Sequence, residues 1–230
     1  MGETITITMT DGCVMPVYHA VPQGERLSDR KAGLVLVQEI FGVTDHIREI
    51  CDEYATDGYE VLSPGLFERI EPGCALDYSG ADWERAVQIA RSEHDWDQGL
   101  DDTQRCIDWL AGQGRPVFIV GYCFGGSVAW RMAQISPNLD GASCYYGGYI
   151  ATRFADEAPQ CAAITHFARF DKLVDFAPVD ALIAKQHPTA QHFVYDAGHG
   201  FNSDRRKDYH PESAELAKAR TLGLFKALGG

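Results

Sequence analysis

Residues 116–133 read PVFIVGYCFGGSVAWRMA. A β-branched apolar run, a glycine-bounded turn and a small-then-apolar helical segment follow one another without a break, which is a strand–turn–helix order. Cys123 stands at the centre of the turn, with Gly121 and Gly125 two places away on either side. A packed core cysteine needs no such neighbours. A nucleophile held on a sharp turn does, because the backbone must double back closely, and the following helix start offers unpaired amides that favour a thiolate.

Working outward, similar short apolar runs recur: GLVLV at 33–37, YEVL at 59–62, GASCYY at 141–146, CAAITHF at 161–167 and HFVYD at 192–196. Runs this short and this continuously apolar predict parallel strands buried on both faces. Helical periodicity lies between them. Ile47, Ile50, Tyr54 and Ala55 share one face, Leu100, Ile107, Leu110 and Ala111 another, and the last segment repeats Ala214, Leu216, Ala217, Leu222, Leu224 and Leu228. The opening TITITMTDGCVMPVY, residues 4–18, alternates around Asp11-Gly12 and predicts an N-terminal hairpin with a two-residue turn at the sheet edge. The pattern predicts an α/β fold, a mostly parallel sheet with helices on both faces, in one domain over residues 1–230.

With 20 Lys+Arg against 33 Asp+Glu, the formal net charge of -13 repels nucleic acid and anionic membranes. The seven cysteines are scattered, odd in number and free of C-x-x-C pairs, so neither a disulfide framework nor a zinc site is expected, and a reducing, cytoplasmic setting fits. No charged-then-apolar leader opens the chain and no apolar run approaches the roughly 20 residues that span a bilayer. Met1-Gly2 with Thr6 matches the loose myristoylation pattern, but no basic cluster supports such an anchor.

In sheets of this kind ligands bind beyond the carboxyl ends of the strands, which directs attention to the residues after each apolar run. Cys123 follows PVFIV. His199, in DAGHGF, follows the last strand on a glycine-flanked loop, and Asp171, in FARFDKLVD, follows the strand before it, with Asp175 as a competitor. The order nucleophile, acid, histidine is that of the α/β-hydrolase triad. The amides of Phe124 and of Ile40, in QEIFG, are candidates for an oxyanion hole. Together these residues predict hydrolysis of a small ester, lactone or thioester through an acyl-cysteine. A redox-sensing or ligand-binding protein using an accessible Cys123 remains the alternative from another class.

Seven motifs, VQEIFGV around Glu39, PGCALD near Pro72, GYCFGG at Cys123, CYYGG at Tyr145, FARFD ending in Asp171, AGHGF at His199 and ARTLGLF near the terminus, resemble the dienelactone hydrolase family over nearly the whole chain. That resemblance implies an α/β-hydrolase fold. It also implies hydrolysis of an unsaturated, carboxylate-bearing lactone in the breakdown of catechol-derived aromatics, with neither metal nor cofactor. It implies a role for Glu39 in contacting the resting thiol and controlling its ionisation, and for Tyr145 in touching substrate. The family holds the substrate carboxylate with arginines. Here Arg205 and Arg206 follow the histidine, and Arg85 lies on the earlier helix DWERAVQIAR beside Arg91, while Glu84 and Gln88 stand where an arginine and a tyrosine would align.

Overall fold

A computed structural model describes residues 1–24 and 30–230. Eight strands form one sheet in the spatial order β1-β2-β4-β3-β5-β6-β7-β8. In the chain they run β1 Glu3–Thr8, β2 Val14–Ala20, β3 Ala32–Val37, β4 Tyr59–Pro64, β5 Val117–Tyr122, β6 Gly141–Tyr145, β7 Ala162–Ala168 and β8 Ala190–Tyr195. The first two strands enter antiparallel and β1 forms one edge; from β4 onward every pairing is parallel.

The central strands β3, β4, β5 and β6 are buried along their whole length, as their largely apolar runs require, and the buried Glu60 within β4 is paired with Arg115 (2.6 Å) and His19 (2.9 Å). Side chains alternate between two cores. Val35, Val37, Val117 and Ile119 face one way, and Leu34, Leu36, Phe118 and Val120 the other. Helices α3 Trp96–Ala111, α4 Phe124–Ile135 and α5 Phe176–Lys185 cover the first face, and α1 Asp45–Thr56 and α6 Pro211–Ala227 the second. Helix α2, Gly80–Gln88, continues as a π-helical turn over Ile89–Glu93.

Two local expectations are corrected. The hairpin turn is wider than Asp11-Gly12, because Met9 N–H donates to Cys13 O (2.8 Å) and Gly12 N–H to Met9 O (3.0 Å), ending β1 at Thr8 and delaying β2 to Val14. In α6 the fully buried face is Ser213, Ala217, Thr221 and Phe225, whereas Leu216 is exposed. The small residues let α6 lie close to the sheet, and the Thr221 hydroxyl is satisfied there by Ser143 Oγ (2.7 Å) and Tyr145 Oη (2.9 Å).

The chain leaves β3 for β4 on one side and returns to β5 on the other, so the sheet's direction of winding reverses between β3 and β5. A crevice forms beyond the carboxyl ends of strands at such a reversal. Glu39 and Ile40 follow β3 there, and Cys123 follows β5. No helix among the described residues is long and apolar enough to cross a membrane.

Candidate active site

Cys123 caps the N-terminus of α4 with φ 55° and ψ -113°, a conformation that costs a non-glycine residue about 1–3 kcal/mol. The surroundings hold it there. Cys123 N–H donates to Tyr145 O on β6 (3.0 Å) and Gly125 N–H to Gln38 O beyond β3 (3.0 Å), pinning the turn between its two neighbouring strands. A Cβ on Gly125 would overlap the Val37 and Gln38 carbonyls, and one on Gly121 would overlap the Gly125 carbonyl. Gly125→Ala is therefore expected to destabilise the protein by about 2–4 kcal/mol, seen as a thermal midpoint lower by roughly 2–4 °C per kcal/mol, and to cut ester turnover with it. An unchanged midpoint would show that the turn has slack.

The loop after β7 and the loop after β8 are tied together: Arg169 N–H donates to Tyr195 O (2.8 Å) and Phe170 N–H to Ala197 O (3.0 Å). This lacing brings Asp171 to His199, whose Nδ1–H donates to Asp171 Oδ2 (2.7 Å), while Nε2 lies 3.1 Å from Cys123 Sγ. The other carboxylate oxygen, Oδ1, accepts from the amides of Leu173 (2.7 Å) and Val174 (3.0 Å), which fixes the carboxylate plane. Asp175 is not the imidazole's partner. It caps α5 by accepting from Ala177 N–H (3.1 Å).

Both side chains are almost sealed from solvent, His199 at 5% and Asp171 at 2% exposure. Burial alone drives an imidazole toward its neutral form, but the negative charge of a Cys123 thiolate and then the Asp171 carboxylate outweigh it, and the His199 pKa rises from 6.5 to about 10. Tyr146, itself at φ 37°, presents its ring edge-on to this imidazole at 5.1 Å.

A cavity of about 560 Å³ opens over Sγ, walled by Ile40, Trp83, Val87, Tyr149, Leu173 and Val174 among others. The size suits a small organic ligand. Ile40 and Phe124 both line it, and among the described residues neither of their backbone N–H groups donates to an acceptor. Two such donors beside a nucleophile are suited to a developing oxyanion. Ser127 also faces the cavity, and its Oγ accepts from Tyr149 N–H (3.0 Å), which steadies the loop after β6.

The remaining expected residues divide. Glu39 is 1% exposed; Oε1 accepts from Arg206 Nη1 at 3.3 Å, and among the described residues the buried Oε2 has no partner. The expected contact of Glu39 with the resting thiol is replaced by this ion pair, and the thiol is met by His199 instead. Tyr145 does not line the cavity, because its side chain faces α6 and only its carbonyl supports the turn. Arg205 is drawn outward to Glu49 on α1 (2.6 Å) and to Asp204 (2.8 Å). Arg85 is clamped between Glu71 (2.6 Å) and Glu93 (2.7 Å), also away from the cavity. Arg91, on the π-helical turn and named in the sequence only as a neighbour of Arg85, does line it, as do Trp83, Tyr149 and Leu173, which no spacing argument singled out. Only the exposure of Leu173 and Tyr149 marks them, and exposure is a property of the folded chain.

The model of the Dienelactone hydrolase family matches residues 15–229. An Escherichia coli K12 protein named "Putative carboxymethylenebutenolidase" is 32% identical over 238 residues, covering 96% of this chain and 85% of its own. A Yersinia pestis protein of the same name is 33% identical over 250 residues, covering 99% and 88%. Among solved structures, a "Putative Dienelactone Hydrolase" from Klebsiella pneumoniae superposes with a TM-score of 0.82 at 27% identity, covering 98% of each chain.

Proposed function

Because the chain belongs to the dienelactone hydrolase family and is a carboxylic ester hydrolase, we propose that it cleaves a lactone or small ester through Cys123, His199 and Asp171, by way of an acyl-cysteine. The observation that carries this reading is the continuous chain of contacts from Sγ to Nε2 and from Nδ1–H to the Asp171 carboxylate.

In the first half-reaction Sγ attacks the carbonyl carbon, and the displaced electron pair moves onto oxygen, facing the Ile40 and Phe124 amides. The proton that sulfur has given up is already held at Nε2, where the thiolate keeps the imidazole charged. When the tetrahedral intermediate collapses, the C–O bond breaks and Nε2–H delivers that proton to the departing alkoxide. From a lactone, the alcohol so formed stays tethered to the acyl group. In the second half-reaction Nε2 accepts a proton from water, the oxygen adds to the thioester carbon, and collapse releases the carboxylic acid and returns the thiolate–imidazolium pair. Asp171 keeps Nδ1 protonated throughout, so that Nε2 always faces sulfur.

Glu39 is the second group that governs the thiol. Its buried, unpartnered Oε2 supports this role, because a carboxylate oxygen in that position gains a partner when the thiol or a water approaches. Lactones and simple carboxylic esters both fall within the proposed class. The scattered cysteines, all free, support a reducing compartment such as the cytoplasm.

Mass spectrometry with a slowly deacylating aryl ester tests the covalent step. The expected result is one acyl group added per chain, mapped to the peptide carrying Cys123 and lost on incubation. Acylation of a different residue, or turnover with no detectable adduct under burst conditions, would remove Cys123 from the mechanism.

A further inference from the structure

Arg206 is the one arginine of those expected to hold a substrate carboxylate that lies against the catalytic loop, yet it is not part of the cavity wall. Its side chain runs across Gly200, where an added Cβ would come within 2.7 Å of Cδ, so the glycine beside His199 is what lets the arginine fold inward. The guanidinium is then enclosed on two sides: Glu39 pairs with it at 3.3 Å, and the Trp83 ring lies under it with its centroid 5.6 Å away. Only 10% of the side chain remains exposed.

Trp83 does line the cavity. It stands on α2 and is backed by Phe41, ring centroids 5.5 Å apart, which limits how far the indole can tilt. One indole thus both lines the acyl cavity and carries the guanidinium over its ring. The remaining wall is largely apolar, with Val87, Ala90, Leu173 and Val174, and its two charged residues, Arg91 and Asp175, have opposite signs. Arg91 lies exposed in water, where a charge is heavily screened. A carboxylate placed in this cavity would lose hydration without gaining a committed cation, which is unfavourable. An apolar acyl chain would gain from the same walls.

Resting on the cysteine-hydrolase reading above, we propose that Trp83 is a specificity-determining residue: its indole screens Arg206 from the acyl cavity, so the site takes esters of uncharged apolar acids in preference to carboxylate-bearing ones. Removing the indole exposes the guanidinium and moves the preference toward anionic substrates.

The test compares kcat/KM for p-nitrophenyl octanoate and for the mono-p-nitrophenyl ester of adipic acid, acyl groups of matched size that differ in a terminal carboxylate. Wild type is expected to favour the octanoate by about tenfold or more, the range in which pocket chemistry separates similar substrates. Trp83→Ala is expected to shift the ratio toward the adipate by about tenfold, and adding Arg206→Gln to that variant to cancel the shift. Equal or faster turnover of the adipate by wild type would overturn the proposal, and so would an unchanged ratio in Trp83→Ala. A shift that survives Arg206→Gln would trace it to lost apolar contact and overturn the screening role. Circular dichroism checks that each variant folds. If Cys123→Ala keeps the activity on both esters, it is the hydrolase reading that fails, and the ratio then says nothing about Trp83.

Discussion

The expected result of Cys123→Ala is a loss of ester turnover of about 10⁴-fold or more, measured as kcat on an activated aryl ester, with the fold intact. The size of the effect follows from what remains. The amides of Ile40 and Phe124, the cavity and the His199–Asp171 pair are all retained, so substrate still binds and an oxyanion is still stabilised. What is lost is the sulfur that lies 3.1 Å from Nε2. Attack then falls to a water that nothing positions, and only the modest residual catalysis of the hole survives. Stability should barely move, because alanine has no easier access than cysteine to φ 55°. Activity above about one per cent of wild type, with thermal unfolding unchanged, would put the nucleophile elsewhere.

Asp171→Asn is expected to lower kcat by about 10³–10⁴-fold, chiefly by letting the imidazole take the wrong tautomer. It also changes the pH profile in a defined direction. In the wild type, burial lowers the His199 pKa, while the Cys123 thiolate and the Asp171 carboxylate raise it more, to about 10. Removing one of the two negative charges lets burial count for more, so the imidazolium gives up its proton at a lower pH and the alkaline limb of kcat/KM moves down. The same sign applies to stability. A group whose folded pKa is raised contributes stability that is fully present below its ordinary value of 6.5 and is lost as pH rises toward about 10. Wild type should therefore lose thermal stability between pH 7 and pH 10, and Asp171→Asn should lose less of it. An alkaline limb that stays in place in the variant would mean that the carboxylate does not govern the imidazole's charge.

Much of this arrangement is legible in the sequence, and the reasons differ from part to part. The parallel strands are legible because each is buried on both faces, which leaves an apolar run that no surface element imitates. The run PVFIVG at 116–121 falls within a residue of β5, and HFVYD at 192–196 within two of β8. Cys123, Asp171 and His199 are legible because each follows its own strand, and the sheet alone then brings them to one end. The arginines are not. Arg205 and Arg206 are adjacent in the chain, yet one reaches out to Glu49 on α1 and the other folds in over Trp83. A long side chain goes where its partners are, and partners from distant segments leave no trace in local spacing. Leu216 of α6 misled for a related reason, since the helix turns its small residues and a threonine toward the sheet to satisfy buried hydroxyls, while Leu222, Leu224 and Leu228 pack at the margin of that core. The π-helical turn at Ile89–Glu93, which carries Arg91 to the cavity, has no signal in composition at all.

The backbone at Cys123 carries a further implication for how such a protein ages in evolution. Its dihedral angles mirror a conformation that is comfortable for ordinary residues, and glycine alone adopts both hands with equal ease. A lineage relieved of the need for hydrolysis would gain heat resistance by letting glycine drift into that position. Durability and reactivity pull this one turn in opposite directions, and a cysteine persists there only while its chemistry is under selection.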